Sequence, residues 1–242
     1  MVINESEDIN RHAILNKIHK GLIVSCQALE NEPLHGSAIM ARMALAAKVG
    51  GAAGIRANTV EDINEIRKEV DLPIIGIVKK IYNGSDVYIT PTLDEVKALA
   101  DSAADIIAFD ATFRKRPEDE KTEDIIKAIK NAGKLAMADI STFEEGVAAM
   151  EMGVDIVSTT MSGYTPYSLQ NTEPDYELVK KLSSKSDTPV IAEGRICSEE
   201  QMLKCFKFGA YSVVIGAAIT RPQTITKRYV DALLNLNKYM NV

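Results

Sequence analysis

A series of short apolar, β-branched segments in this chain ends in charged, amide or hydroxyl side chains, and those ends carry its potential chemistry. Ser25 and Gln27, Arg56 and Asn58, Lys79 and Lys80, Asp110 and Thr112, Asp139, Thr159 and Thr160, and Glu193 and Arg195 all sit where an apolar run stops. A charge there is costly unless it is paired or faces a wet cavity. One such residue reads as a rim charge or a structural ion pair; the same placement in segment after segment reads as a site. Lys79 and Glu193 are the pair suited to moving a proton. A lysine base has to lose its proton near neutral pH, a shift of roughly 3 units from about 10.4, worth about 4 kcal/mol. Burial and a cation such as Arg56 act in that direction, while Glu193 or Asp139 act against it. The alternative roles are a phosphate or carboxylate contact for Lys79 and an ion pair for Glu193. Lys80 reads as a solvated rim residue.

Eight segments must position these groups: GLIVSCQ (21–27), AAGIRAN (52–58), PIIGIVKK (73–80), DIIAFDAT (105–112), KLAMADIS (134–141), DIVSTTMSG (155–163), PVIAEGRI (189–196) and SVVIGAAIT (212–220). Nearly continuous apolar runs are what strands of a parallel sheet require, because both faces are buried. Helical patterns lie between them, with starts at Thr59…Asp62, Thr92…Glu95, Ser141…Glu144 and Ser198…Gln201. Stops fall at Gly50-Gly51, Asn131-Ala132-Gly133, Gly153 and Gly209. The last helix begins at Pro222 and carries one apolar stripe, Ile225, Tyr229, Val230, Leu233 and Leu234.

Eight strand–helix alternations predict an α/β protein, a single (β/α)8 TIM barrel with an extra N-terminal helix. The 242 residues suit one such domain, and no linker divides them. An open doubly wound sheet would have a glycine fingerprint after its first strand, where this chain has SCQALENEPLHG. The expected organisation is an N-terminal extension, residues 1–20, and a catalytic barrel, residues 21–242. Ile9, Ala13, Leu15 and Ile18 are the apolar positions of the extra helix, which either caps the barrel floor or contributes to a homodimer.

In a barrel, strands three and seven face one another, so Lys79 and Glu193 present one titratable group to each side of a bound molecule. Inverting a stereocentre beside a carbonyl needs that access. The loops after strands seven and eight form the usual phosphate site of the fold. AEGRI (192–196) and VIGAAITRP (214–222) supply glycines that let backbone approach an anion, beside N–H groups carrying partial positive charge. Gly194, Arg195, Gly216 and Ala217 are therefore assigned to a phosphate cradle, with Arg221 nearby; for Gly216 the alternative is tight strand–helix packing. Asp139 orients the lysine, binds a sugar hydroxyl or makes a structural hydrogen bond. Cys26 is a nucleophile by position or a buried structural thiol. The stretch GYTPYSLQNTEPDYE after strand six reads as a mobile lid.

Composition narrows the partners. The chain is 46% hydrophobic and 26% charged with a net charge of −6, and its isoelectric point is near 5.3. That balance argues against a nucleic-acid partner. His12, His19 and His35 form no ligand cluster, so a catalytic metal is not expected. Three cysteines without CxxC spacing, no secretory signal and no apolar run of membrane-spanning length predict a cytoplasmic protein without a membrane partner.

The runs GLIVSCQAL…EPLH, MALAAKVGGAAGIRAN, PIIGIVKK, DVYITPT, DIIAFDAT, RKRP, MADIST, STTMSGYTPYS, VIAEGRI and GAAITRPQTITKR resemble the N-acetylmannosamine-6-phosphate 2-epimerases in order, over about residues 20–230. The resemblance implies a TIM barrel that interconverts N-acetylmannosamine 6-phosphate and N-acetylglucosamine 6-phosphate in sialic-acid catabolism, by C2 proton abstraction and return without metal or nicotinamide. It implies catalytic roles for Lys79 and Glu193 and substrate binding by Gln27, Arg56, Asp139 and Arg221. Ala217 stands where many relatives carry glycine, a change that leaves the backbone donor in place. The residues alone leave two rivals: a Schiff-base lyase using Lys79, and a phosphosugar-binding barrel without turnover.

Overall fold

A computed structural model describes residues 5–236. Eight parallel strands, β1 (Leu22–Cys26), β2 (Gly54–Asn58), β3 (Ile74–Ile77), β4 (Ile106–Asp110), β5 (Leu135–Asp139), β6 (Ile156–Ser158), β7 (Val190–Glu193) and β8 (Ser212–Ile215), close into a barrel in chain order, with β8 pairing back onto β1. Around them run α2 (Ser37–Val49), α3 (Val60–Glu69), α4 (Leu93–Ala100), α5 (Thr122–Asn131), α6 (Phe143–Glu151), α7 (Tyr176–Ser183) and α8 (Glu199–Lys207); α1 (Glu5–Ile18) precedes the barrel, and α9 (Ala217–Thr220) and α10 (Pro222–Leu234) end it.

The two-residue period of a strand divides each segment between two cores. Ile23, Ile75, Ile106, Met137, Ile191 and Val214 fill the barrel interior. Their sequence neighbours, among them Val24, Ile74, Ile107, Ala136, Ala192 and Val213, face the helices. The strands are shorter than their apolar segments. Backbone turns after Ser158 into a single-turn helix, Thr159–Met161, and the expected strand GAAIT becomes α9. The polar residues therefore divide between the strands' own ends, as with Arg56, Asn58, Asp110, Asp139 and Glu193, and the segments that follow them, as with Gln27, Lys79, Thr160 and Arg195.

Local signals fall close to where the sequence puts them. Asp62 N donates to Thr59 Oγ1 at 3.2 Å, Gln201 N to Ser198 Oγ at 3.2 Å, and Thr92 and Glu95 cap one another. The cap expected at Ser141…Glu144 lies one residue later, at Thr142…Glu145. Glu145 Oε2 there accepts from the amides of Ser141 and Thr142 and from the Ser141 hydroxyl, at 2.8, 3.1 and 2.7 Å, so the carboxylate selects the register. Gly51, Gly133, Gly153 and Gly209 all have the positive φ that ends a helix cheaply in glycine.

One expectation, for the apolar face of the N-terminal helix, needs correction. In α1, Leu15 and Ile18 are buried in the interior core, but Ile9 is 71% exposed and Ala13 is exposed as well. The face turned to the barrel is Arg11, Ile14, Leu15 and Ile18, because Arg11 Nε pairs with Asp155 Oδ1 at 3.2 Å and Tyr211 Oη donates to Leu15 O at 3.0 Å. Asp155 and Tyr211 precede β6 and β8, so α1 covers the barrel floor. In α10 the apolar stripe is present but buries nothing: Tyr229, Leu233 and Leu234 are 65%, 67% and 75% exposed. The helix packs chiefly on α9 rather than on the barrel wall.

Ile18→Ala is expected to destabilise the protein by about 2–5 kcal/mol, and Ile9→Ala by less than about 0.5 kcal/mol, in urea unfolding followed by circular dichroism.

Candidate functional site

The alternation that turns Ile75 and Ile77 inward carries Lys79 into the mouth, and the same step brings Arg56, Asp139, Thr160 and Glu193 to the interior above the apolar layer. Arg56, only 1% exposed, is the buried cation of this set. Its Nη1 and Nη2 donate to Asp139 Oδ1 and Oδ2 at 3.1 and 2.5 Å, and Nη1 also donates to Glu193 Oε2 at 2.7 Å. Thr160 Oγ1 stands 2.7 Å from Asp139 Oδ1 and 3.1 Å from Glu193 Oε2, and its single proton serves one carboxylate at a time. Thr159 Oγ1 clamps the Glu193 backbone, accepting from its N and donating to its O at 3.1 and 3.0 Å.

Lys79 lies opposite. Its backbone N donates to Asn58 Oδ1 at 2.8 Å, while its ammonium makes no hydrogen bond or ion pair among the described residues. Burial, aided by the Arg56 charge, brings its pKa down to about 8, against the opposing pull of Glu193; Arg221 lowers it further and Asp139 opposes. Burial also moves Glu193 the other way, upward, although Arg56 opposes that shift. Arg56 itself is pushed down by burial and more strongly up by Asp139 and Glu193, and the net direction is upward. A lysine moved down and a glutamate moved up, across one space, make an acid–base pair.

That space is a cavity of about 410 Å³. It is lined by Gln27, Arg56, Lys79, Glu193, Gly194, Arg195, Gly216, Ala217 and Arg221, nine of the ten residues singled out from sequence. Asp139 is the exception: fully buried, it stands behind Arg56 and meets the cavity through that guanidinium and the Thr160 hydroxyl. Gln27 Nε2 donates to Ser25 Oγ at 2.8 Å, but its Oε1 is buried without a partner, as is Arg56 Nε.

One wall is suited to an anion. Gly194 and Arg195 both have positive φ, +108° and +59°, and their amides, like those of Ala217 and Ala218, have no protein acceptor among the described residues. The Arg195 side chain is engaged elsewhere, donating to Ser162 O and Gly163 O at 2.6 and 2.8 Å and stacking over Tyr164. Only its backbone therefore faces the cradle. Arg221 is held by Glu32 through Nε–Oε1 at 2.9 Å and Nη2–Oε2 at 3.0 Å.

Other sequence candidates fall outside the cavity. Asp110 is used by its own loop, accepting from Thr112 Oγ1 at 2.7 Å and pairing with Arg114. Lys80 pairs with Glu95 at 2.9 Å over the Tyr82 ring, a rim residue with a partner. Cys26 faces the helices, and burial pushes its thiol up to about 12, so it does not supply a thiolate. Among the described residues no group of three or more His, Cys, Asp or Glu could hold a metal ion. The segment read as a lid lies braced on the mouth: Ser162 Oγ donates to Asp175, Gly163 N to Ser168 Oγ and Tyr167 Oη to Glu145, each within 2.8 Å.

Sequence reasoning placed Thr160 at a strand end without a role, and it missed Glu32, Tyr88 and Ile89. Glu32 meets Arg221 from 189 positions away. Tyr88 and Ile89 line the cavity from a loop, where no strand pattern points to them.

Fold and cavity define the class: a (β/α)8-barrel enzyme with a charged cavity at the carboxyl mouth of its strands. The family model described as "Putative N-acetylmannosamine-6-phosphate epimerase" matches residues 40–235. Relatives bearing the 2-epimerase form of that name include a Clostridium perfringens protein, 56% identical over 220 residues, 91% of this chain and 100% of the relative. One from Caldanaerobacter subterraneus subsp. tengcongensis is 52% identical over 231 residues, 95% of this chain and 97% of the relative. The solved N-acetylmannosamine-6-phosphate 2-epimerase from Clostridium perfringens superposes with a TM-score of 0.89 at 56% identity, covering 90% of this chain and 95% of that one. The chain belongs to the N-acetylmannosamine-6-phosphate 2-epimerase family.

The depressed Lys79 pKa is a stability cost. Folded protein binds less proton than unfolded between about 8 and the ordinary 10.5, so the cost is full below that window and vanishes above it. Lys79→Met is expected to stabilise the fold at pH 7 by up to about 3 kcal/mol, with the gain fading as pH rises through the window, in denaturant titrations at pH 7 and pH 10.5.

Proposed function

We propose that this protein interconverts N-acetylmannosamine 6-phosphate and N-acetylglucosamine 6-phosphate by removing and returning the proton at C2. The observation that carries the reading is the pairing of Lys79 and Glu193 across one cavity, with the lysine brought down to about 8. The sugar reacts in its open aldehyde form, whose carbonyl at C1 acidifies the C2 proton. Lys79 and Glu193 act as base and acid in the two directions. Arg56, held by Asp139, supports the negative charge that develops on the carbonyl oxygen. The 6-phosphate docks on the amides of Gly194, Arg195, Gly216 and Ala217, with Arg221 beside them, and Gln27 Oε1 is an acceptor waiting for a sugar N–H or O–H. No step in this scheme calls on a metal or other cofactor.

The barrel from residue 21 onward is the catalytic unit in this reading, and residues 1–20 are an extension whose α1 closes the floor. The working location is the cytoplasm, which suits free cysteines at positions 26, 197 and 205. Among the described residues no helix is long and apolar enough to cross a membrane. The net charge of −6 speaks against nucleic acid as a partner.

A homodimer completes the proposal. The eighth helix of a barrel covers the wall between the first and seventh, yet α10 stands off that wall, leaving Leu203 on α8 56% and Ile39 on α2 40% exposed. A second copy supplies a surface of matching chemistry, its own α10. The protein is expected to run at twice its 26.4 kDa in light scattering, and Leu233→Asp is expected to shift it towards monomer.

Activity is tested by proton NMR with N-acetylmannosamine 6-phosphate in deuterium oxide, without added metal or cofactor. N-acetylglucosamine 6-phosphate carrying deuterium at C2 is the expected product, and kcat/KM is expected to fall as pH drops below about 8, where Lys79 gains its proton. Conversion without deuterium points to a shielded relay. No conversion by folded protein, or full activity in Lys79→Ala, overturns the assignment.

A further inference from the structure

The barrel is all-parallel except at one place, and that place holds Lys79. After β3 the chain leaves the sheet and returns at Tyr88–Thr90, pairing antiparallel with Val78–Lys80. Lys80 N donates to Tyr88 O at 3.0 Å and Thr90 N to Val78 O at 2.7 Å, with Lys79 opposite Ile89. These two bonds flank the Lys79–Ile89 pair without joining it, the arrangement in which opposed side chains approach most closely. The returning segment is wedged into the barrel mouth. Asp110 N, at the end of β4, donates to Ile89 O at 3.0 Å, so Ile89 takes the edge that β3 has left. Thr90 locks the wedge: fully buried at a φ of +45°, it donates through Oγ1 to Ala108 O at 2.7 Å and accepts from Val78 N at 3.3 Å. A β-branched residue at positive φ is strained, and here its hydroxyl bonds to both neighbouring strands.

Ile89 is only 2% exposed and joins the interior apolar core, yet it also lines the cavity alongside Lys79. The arm thus brings an aliphatic wall against the stem of the one cavity lysine that has no hydrogen-bonding partner. We propose that Ile89 is a positioning residue that sets the proton affinity of Lys79 by keeping water from one side of its side chain. The proposal rests on the reading of Lys79 as the base of this site. The charged groups that act on Lys79 come from other elements: Arg56 on β2, Asp139 on β5, Glu193 on β7, and Arg221 ahead of α10. They push in opposite senses, Arg56 and Arg221 against the ammonium, Glu193 and Asp139 towards it. None of the four is bonded to Ile89, so the apolar wall can be varied by itself.

The test is a direct titration of the full-length protein labelled with carbon-13 at the lysine ε position, with Lys79 assigned by loss of its signal in Lys79→Arg. Ile89→Thr keeps the branched shape that suits the antiparallel pair and admits a polar group; Ile89→Val keeps the wall. In Ile89→Thr the Lys79 midpoint is expected to rise from about 8 by about 1 unit, and the acid limb of kcat/KM is expected to move with it while the plateau at high pH is retained. Ile89→Val is expected to titrate like the native protein. If Ile89→Thr does not fold, Ile89→Ala opens the same side to water and is read in the same way. Lys79 titrating at its native midpoint in a folded Ile89→Thr or Ile89→Ala protein overturns the proposal. The titration needs no turnover, so the two readings fail separately. A raised midpoint in a protein that does not epimerise the sugar sinks the substrate assignment alone, and an unmoved midpoint in an active enzyme sinks this one alone.

Discussion

Everything polar in this barrel is arranged around one guanidinium buried above an apolar layer. Arg56 cannot shed its charge, and a charge in such a place is tolerated only when oxygens surround it. Asp139 supplies two of them and Glu193 a third. The consequences spread from there. Asp139 is committed to Arg56 and kept out of the cavity. Glu193 is drawn into the mouth at a fixed point, clamped from behind by Thr159. Lys79, on the far side, is buried next to that positive charge and loses affinity for its own proton.

The same guanidinium acts in opposite senses on the two titratable groups that share the cavity. Burial disfavours the charged form of both. For Lys79, Arg56 reinforces burial; for Glu193 it opposes burial. The lysine consequently moves farther towards neutrality than charge pairing alone would allow. A direct Lys79–Glu193 ion pair would have held both groups charged; none forms, and Glu193 is bonded to Arg56 instead.

The barrel's two cores position this set with little freedom. Inward residues alternate with outward ones, so a segment that packs correctly against its helix delivers every second side chain to the interior. Floor and wall are closed by different means. Leu15 and Ile18 of α1 fill the interior from below. The wall between α8 and α2 is left thin, with the stripe of α10 turned to solvent.

The sequence by itself determined the number and order of strands, the helix stops, and which positions the strands would bring to the mouth. Those features depend on local periodicity, on glycine at positive φ and on capping side chains a few residues away, all of which short windows of sequence record. It also marked Lys79, Glu193, Arg56 and the glycine-bearing cradle, because a polar residue ending an apolar strand stands out wherever the strand goes. Only the tertiary structure decided how those residues divide their work. That Asp139 stands behind Arg56, that the Arg195 guanidinium bonds to loop carbonyls, that Glu32 holds Arg221, and that Ile89 lies against Lys79 are contacts between segments distant in the chain or returning through an irregular loop. The balance on Lys79 is of the same kind. Its pKa is set by burial together with four charges from four elements, at distances that exist only once the barrel has closed.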